Sequence, residues 1–126
     1  MSTIPKYILN WKNGGGGGQI PVETSIPENN ELLPNVLYIL GTITEDIDID
    51  LAEPEDETIV NVYCLTFEIG DTVPVIHWLF DASYIWADGE APSLEQNTHY
   101  EISVMDNLIL VASAAIPEVQ PETPGE

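Results

Sequence analysis

The chain has 126 residues, 22 of them acidic and only two, Lys6 and Lys12, basic, for a formal net charge of −20. Nucleic-acid backbones and anionic membrane surfaces are held by Lys and Arg, and a chain with no Arg and no Lys beyond position 12 is excluded as a direct partner of either. With the ends set aside, about 85 residues remain, enough for one domain with a modest core, and the acidic charge favours solubility and holds copies apart.

In chain order, residues 1–13 form a short peptide with Ile4, Tyr7, Ile8, Leu9 and Trp11, and both lysines fall inside it. It is too short to make a core alone, and five glycines at 14–18 follow it as a flexible tether. An apolar, locally basic peptide on a leash before an acidic domain reads as an anchoring arm. The competing reading adds residues 4–11 as a strand to the domain's own sheet. Residues 19–34 hold Pro21, Pro27, Pro34 and the run Glu28-Asn29-Asn30-Glu31, and read as an extended connector, so 14–34 is expected to be one tether.

The domain is expected over 35–116. Residues 35–44 (NVLYILGTIT) are rich in β-branched and aromatic side chains, with Gly41 where a bulge would fit. Asp46, Asp48 and Asp50 then alternate with Ile47, Ile49 and Leu51, a strand with an acidic outer face. A turn at 53–57 leads to a long strand over 59–69, and residues 73–80 (VPVIHWLF) form another, whose Pro74 places its start at an edge. Residues 83–87 follow. Tyr100, Ile102 and Val104 alternate with Glu101 and Ser103, and after Met105-Asp106-Asn107 the apolar run 108–111 closes the domain. Seven short strands with frequent turn signals predict an all-β, antiparallel sandwich, jelly-roll-like or immunoglobulin-like. The expected core is Leu37, Ile39, Ile47, Ile49, Val62, Leu65, Phe67, Trp86, Tyr100, Ile102, Val104 and Leu110. Residues 117–126 carry three prolines and three glutamates and read as a disordered acidic tail.

Catalytic apparatus is thin. Cys64, the only cysteine, permits no internal disulfide and reads as a small core residue. His77 and His99 sit in no zinc-spaced motif, no nucleophile elbow accompanies them, and the paired carboxylates lie on turns and wet faces. The spacing of Asp46, Asp48 and Asp50 is not that of an EF-hand, and alternating carboxylates are also what a solvated strand shows. No catalytic residue, metal site or cofactor is therefore expected, and the chain reads as a non-enzyme. Trp78, Tyr84 and Trp86 form a candidate ligand-binding corner: facing solvent together they could stack on sugar rings, and packed inward they are core. The first residues lack the apolar run of a signal peptide, and no run approaches the roughly 18 apolar residues of a membrane span, so synthesis and assembly in a cytoplasm are expected.

The run Asn35-Val36-Leu37-Tyr38-Ile39-Leu40-Gly41, then Trp86-Ala87-Asp88-Gly89-Glu90-Ala91-Pro92-Ser93-Leu94, then Tyr100-Glu101-Ile102-Ser103-Val104, resembles a small β-sandwich domain that recurs in bacteriophage structural proteins. In that domain a Trp-x-x-Gly-x-x-Pro turn leads into a Tyr-Glu-Ile-Ser strand, and it is found in head fibres, capsid decorations and tail-associated proteins. The resemblance covers about residues 35–113 and excludes the glycine run and the acidic tail. It implies a virion protein assembled in a bacterial host, docked through its arm on a capsid or other virion protein, and associating as a trimer or dimer. A host-surface glycan is the further partner that the aromatic corner would suit. The resemblance makes Trp86, Gly89 and Pro92 fold positions and carries no functional site with it.

Overall fold

A computed structural model describes residues 20–117. The described chain is all β and contains no helix, so no helix is long and apolar enough to cross a membrane. Nine strands form in order: β1 (Val22–Glu23), β2 (Glu31–Leu32), β3 (Leu37–Thr42), β4 (Ile47–Leu51), β5 (Val62–Ile69), β6 (Ile76–Trp78), β7 (Ile85–Trp86), β8 (Thr98–Met105) and β9 (Leu108–Ala115). They make a six-stranded sheet in the order β1-β3-β5-β8-β9-β7 and a three-stranded sheet in the order β2-β4-β6.

From β1 to β6 consecutive strands alternate between the two sheets, so that β1, β3 and β5 lie parallel in one while β2, β4 and β6 lie parallel in the other. The chain winds around its core in coils. Only the β5–β8 and β8–β9 pairs are antiparallel, and β7 pairs parallel with β9 at the far edge. This corrects the antiparallel seven-strand expectation. Alternating side chains reveal which face is buried but not which strand lies alongside. Parallel neighbours also need a long connection, and from β1 to β6 each such connection passes through a strand of the other sheet.

The connector expected before Asn35 belongs to the fold. It supplies β1 and β2, and Leu32 is buried in the core. Its prolines and asparagines are corners: Asn30 and Asn35 take φ of 63° and 64°, the left-handed region that Asn enters more readily than most residues. Asn35 then clamps the neighbouring coil, its backbone N–H donating to the Val62 carbonyl at 2.6 Å and its Oδ1 accepting from the Val62 N–H at 3.1 Å. Gly41, with φ of 71°, sits where the β3–β5 register shifts between Ile39 and Thr42, the bulge its position implied. At the β8–β9 hairpin Asp106 and Asn107 both have positive φ, 58° and 67°, which matches the two-residue turn that suits twisted strands.

One hydrophobic cluster draws on both sheets, joining Leu32, Ile49 and Ile76 to Tyr38, Leu65, Phe67, Tyr100, Ile102 and others. Three buried tyrosines tie connections to this layer. The Tyr38 hydroxyl accepts from the Leu33 N–H at 3.0 Å, Tyr63 donates to the Ala52 carbonyl at 2.5 Å, and the Tyr100 hydroxyl accepts from the Glu95 N–H at 2.8 Å while donating to the Ser93 carbonyl at 3.1 Å. Satisfying the phenol hydroxyls in this way lets large rings fill the core without stranding a polar atom. Of the expected core residues Leu110 is the misplaced one. It is 45% exposed, because the β8–β9 register sets Ile109 and Val111 opposite the inward Val104 and Ile102. A continuous apolar run carries no alternation from which that register could be read.

A second, smaller cluster of Leu37, Val62 and Cys64, with Ile20 and Ile39 packed against it, lies on the opposite face of the six-stranded sheet. The anchoring-arm residues Ile4, Tyr7, Ile8, Leu9 and Trp11, the glycine run and the tail beyond Pro117 lie outside the described residues.

Candidate functional site

The structure brings the aromatic corner together. In β6 the alternation turns Ile76 inward, His77 outward and Trp78 inward, and the parallel pairing continues one residue further as the Leu79 N–H donates to the Ile49 carbonyl at 2.8 Å. A tight turn follows, with the Tyr84 N–H donating to the Asp81 carbonyl at 3.0 Å. β7 is then pinned to the closing hairpin by the Ile85 and Ala87 N–H groups, which donate to the Asn107 and Ile109 carbonyls, both at 2.8 Å. The result sets Trp78 edge-on to Trp86 with ring centroids 5.5 Å apart.

Phe80, which was not among the candidate residues, is the hinge of this group. It stacks on Trp86 at 5.7 Å and meets Trp78 at 5.7 Å and Tyr84 at 6.2 Å. Its signal was available in the sequence, since Trp78 and Phe80 are two residues apart and fall on one side of an extended chain. Trp78 also reaches Phe67 at 6.3 Å, and Phe67 stacks on Tyr100 at 5.3 Å, so the corner is the outer end of an aromatic ladder that begins in the core. All four corner rings are half-buried and packed against the main cluster. The four rings pack on one another and on the core instead of facing solvent together, with Tyr84 at the edge of the group.

Tyr84 lies between two clefts. One, of about 590 Å³, is lined by Tyr63, Tyr84, Ile59, Val60 and the β8–β9 turn. The other, of about 610 Å³, is lined by Tyr84, Leu79 and Pro54 together with Glu31, Asp50, Glu53 and Asp81. Burial pushes the Tyr84 phenol above its ordinary pKa, and the charges of Asp81, Asp50 and Glu53 push it further. A ring face surrounded by carboxylates suits a neutral polyol, whose C–H groups stack while its hydroxyls donate, and it repels anions.

The acidic strand face is already engaged in separate contacts. The Asp48 carboxylate meets His77 Nδ1 at 2.9 Å, Asp46 Oδ1 accepts from the Val75 N–H at 2.9 Å, and Asp50 Oδ1 accepts from the Leu51 N–H at 2.7 Å. No group of three or more His, Cys, Asp or Glu side chains among the described residues is arranged to hold a metal ion. Cys64 is buried, and that burial pushes its thiol up to about 12, which keeps it protonated and unreactive at neutral pH.

A second polar group emerges on the outer face of the six-stranded sheet. His99 Nε2 lies 3.0 Å from Glu101 Oε2 and its Nδ1 3.4 Å from Glu68 Oε2, with the His99 and Glu101 side chains largely shielded from water. Burial raises the Glu101 carboxyl, and its contact with His99 partly offsets this. The signal lay in the two-residue spacing of His99 and Glu101. Glu68 joins them only through the β5–β8 register, which the sequence does not reveal.

Comparisons with protein-family models, with curated proteins and with solved structures return no match.

Proposed function

We propose that this chain is a non-enzymatic structural protein of a bacteriophage virion, a head fibre or capsid decoration subunit that docks through residues 1–13 and displays its β-domain outward as a two-sheet sandwich. The observation that carries this reading is the separation of charge along the chain. Both lysines lie in the apolar arm, whereas residues 20–117 contain no Lys or Arg and all the acidic residues but Glu118, Glu122 and Glu126. A segment rich in Ile, Leu and Trp suits burial in a partner, and a uniformly acidic domain suits display at high local density because copies repel. Of the residues that carry the phage-domain resemblance, Trp86 in β7 and the 100–104 run in β8 both flank β9, whereas the 35–41 run in β3 is separated from β8 by β5.

The test is incorporation into particles. A chain lacking residues 1–18 is expected to stay soluble and be absent from purified particles that incorporate the full chain. Truncated chain at full occupancy would overturn the docking role.

The carboxylate-ringed Tyr84 cleft favours a second reading, a glycan- or host-surface-binding module. It predicts glycan-array binding that is lost in Tyr84→Ala while the circular dichroism spectrum is kept. An array showing no retained glycan would remove it.

A further inference from the structure

The outer face of the six-stranded sheet is built in rows. Cross-strand registers align Leu37, Cys64, Ser103 and Leu110 in one row across β3, β5, β8 and β9, and Val62, Met105, Leu108 and Ile85 in the next across β5, β8, β9 and β7. Beyond them, toward the other end of the strands, lie Glu101 and then the Glu68–His99 pair. The face thus grades from apolar to acidic. Its centre is dry, with Leu37 0%, Cys64 2% and Ser103 8% exposed, while Met105, Leu108 and Leu110 at the flank remain 42–50% exposed. The three-stranded sheet covers only the opposite face.

We propose that the apolar arm of this chain, residues 4–11, lies across this face and covers it. The chain enters the fold here: Ile20 packs against the Leu37, Val62 and Cys64 cluster, and the arm is what precedes it. The reach is sufficient. Nine residues from Ile20 back to Trp11 extend to roughly 30 Å, and the sheet's six strands span about 24 Å between its edges. The chemistry matches as well. In an extended segment Tyr7, Leu9 and Trp11 fall on one side and Lys6 and Lys12 on the other. The rings and Leu9 then meet the Met105, Leu108 and Leu110 strip, while the flexible lysine stems turn their ammonium groups to Glu68 and Glu101. These are the only two Lys or Arg residues in the sequence, so no other part of the chain offers both an apolar surface and a counter-charge to this face.

His99 gathers two carboxylates at the acidic end of this face, with Glu101 Oε2 3.0 Å from its Nε2 and Glu68 Oε2 3.4 Å from its Nδ1, and no Lys or Arg among the described residues accompanies them. A second copy laid face to face is the poorer occupant, because it would bring two chains of net charge −20 together with no cation on either described surface. This placement stands apart from the virion reading, which particle occupancy tests. In a particle, the arm would exchange this sheet for the shell protein.

Two measurements on the full-length chain test it. With the photocrosslinker benzoylphenylalanine at position 7, irradiation is expected to link the arm to peptides spanning residues 99–112. Links within one chain or between two copies both support the arm as occupant, and gel mobility separates them. Links elsewhere, or none, overturn the proposal. Cys64, at the dry centre, provides the second readout. Its labelling by a thiol reagent is expected to rise about tenfold or more in the Leu9→Glu/Trp11→Glu variant, with an unchanged circular dichroism spectrum. Equal rates in the two chains would sink the idea even if the crosslinks were ambiguous between strands.

Discussion

On the three-stranded sheet the side chains turned away from the core are Glu31, Asp48, Asp50 and His77, whereas on the six-stranded sheet they include Leu37, Ile39, Val62, Cys64, Met105 and Leu110. Both sheets press their other faces into one core. The difference teaches that period-two alternation has two distinct outcomes here. Asp48 and Asp50 mark a face finished by water, and their charge discourages edge pairing with other chains. Leu37 and Cys64 mark a face that is apolar on both sides of its strands, the pattern of a sheet meant to be covered twice.

The layer between the sheets is the common ground of this comparison and gives the largest effect. Phe67 is fully buried and stacks on Tyr100 while touching Trp78, so it couples the core to the aromatic corner. Phe67→Ala is expected to cost about 3–5 kcal/mol by urea unfolding, with loss of near-ultraviolet tryptophan ellipticity as the corner loosens. A change below about 1 kcal/mol would mean that the two sheets are not held by this layer.

The outer faces should then part company. Leu37→Ala removes a side chain that is 0% exposed although it points away from the main core, and it is expected to cost about 2–4 kcal/mol. If Leu37 stood on an ordinary wet face, the cost would stay near 0.5 kcal/mol. The measured free energy therefore reports whether Leu37 is packed in the cluster with Val62, Cys64 and Ile20 in solution.

Much of this was legible in the sequence. The all-β class, the positions of β3 to β9, the Gly41 bulge and the meeting of Trp78 with Trp86 follow from β-branched runs, turn residues and spacing. What was hidden is what depends on partners far along the chain. Val22 and Glu31 sit in two-residue strands too short to show a period, and they pair with Leu37 and Asp50 only because the chain coils. Glu68 reaches His99 across 31 positions of sequence, and Leu110 could be placed inside or outside only once its register with Ser103 was known. Local pattern encodes faces, whereas topology decides neighbours.

Acidity provides a further way to sharpen the contrast. Glu101 sits at the shielded, acidic end of the apolar face, with His99 on its own strand, Thr66 and Glu68 on β5, and no titratable group at Ala112 on β9. Burial raises its carboxyl above the ordinary value of 4.5. A folded acid with a raised pKa binds more protons than the unfolded chain, so its contribution favours folding at low pH. That contribution is lost as pH rises from the ordinary value through the folded one. In a chain lacking residues 1–18, where no lysine can face Glu101, Glu101→Gln is expected to flatten the fall of the urea midpoint with pH across that window. A variant that keeps the parent's slope would show that other carboxylates produce it.

The smallest effect belongs to the wet face. The His77 and Asp48 side chains are 59% and 52% exposed, so their 2.9 Å contact is screened by solvent. Asp48→Asn keeps the shape and a hydrogen-bonding oxygen, removes one of several neighbouring negative charges, and is expected to change stability by less than about 0.5 kcal/mol. The sign carries the information. A slight gain, shrinking as salt is added, would show that repulsion among Asp46, Asp48, Asp50 and Glu31 outweighs attraction to His77. A loss above about 1 kcal/mol would mean that the pair ties β4 to β6 as a structural contact, and the two outer faces would then differ less than their side chains imply.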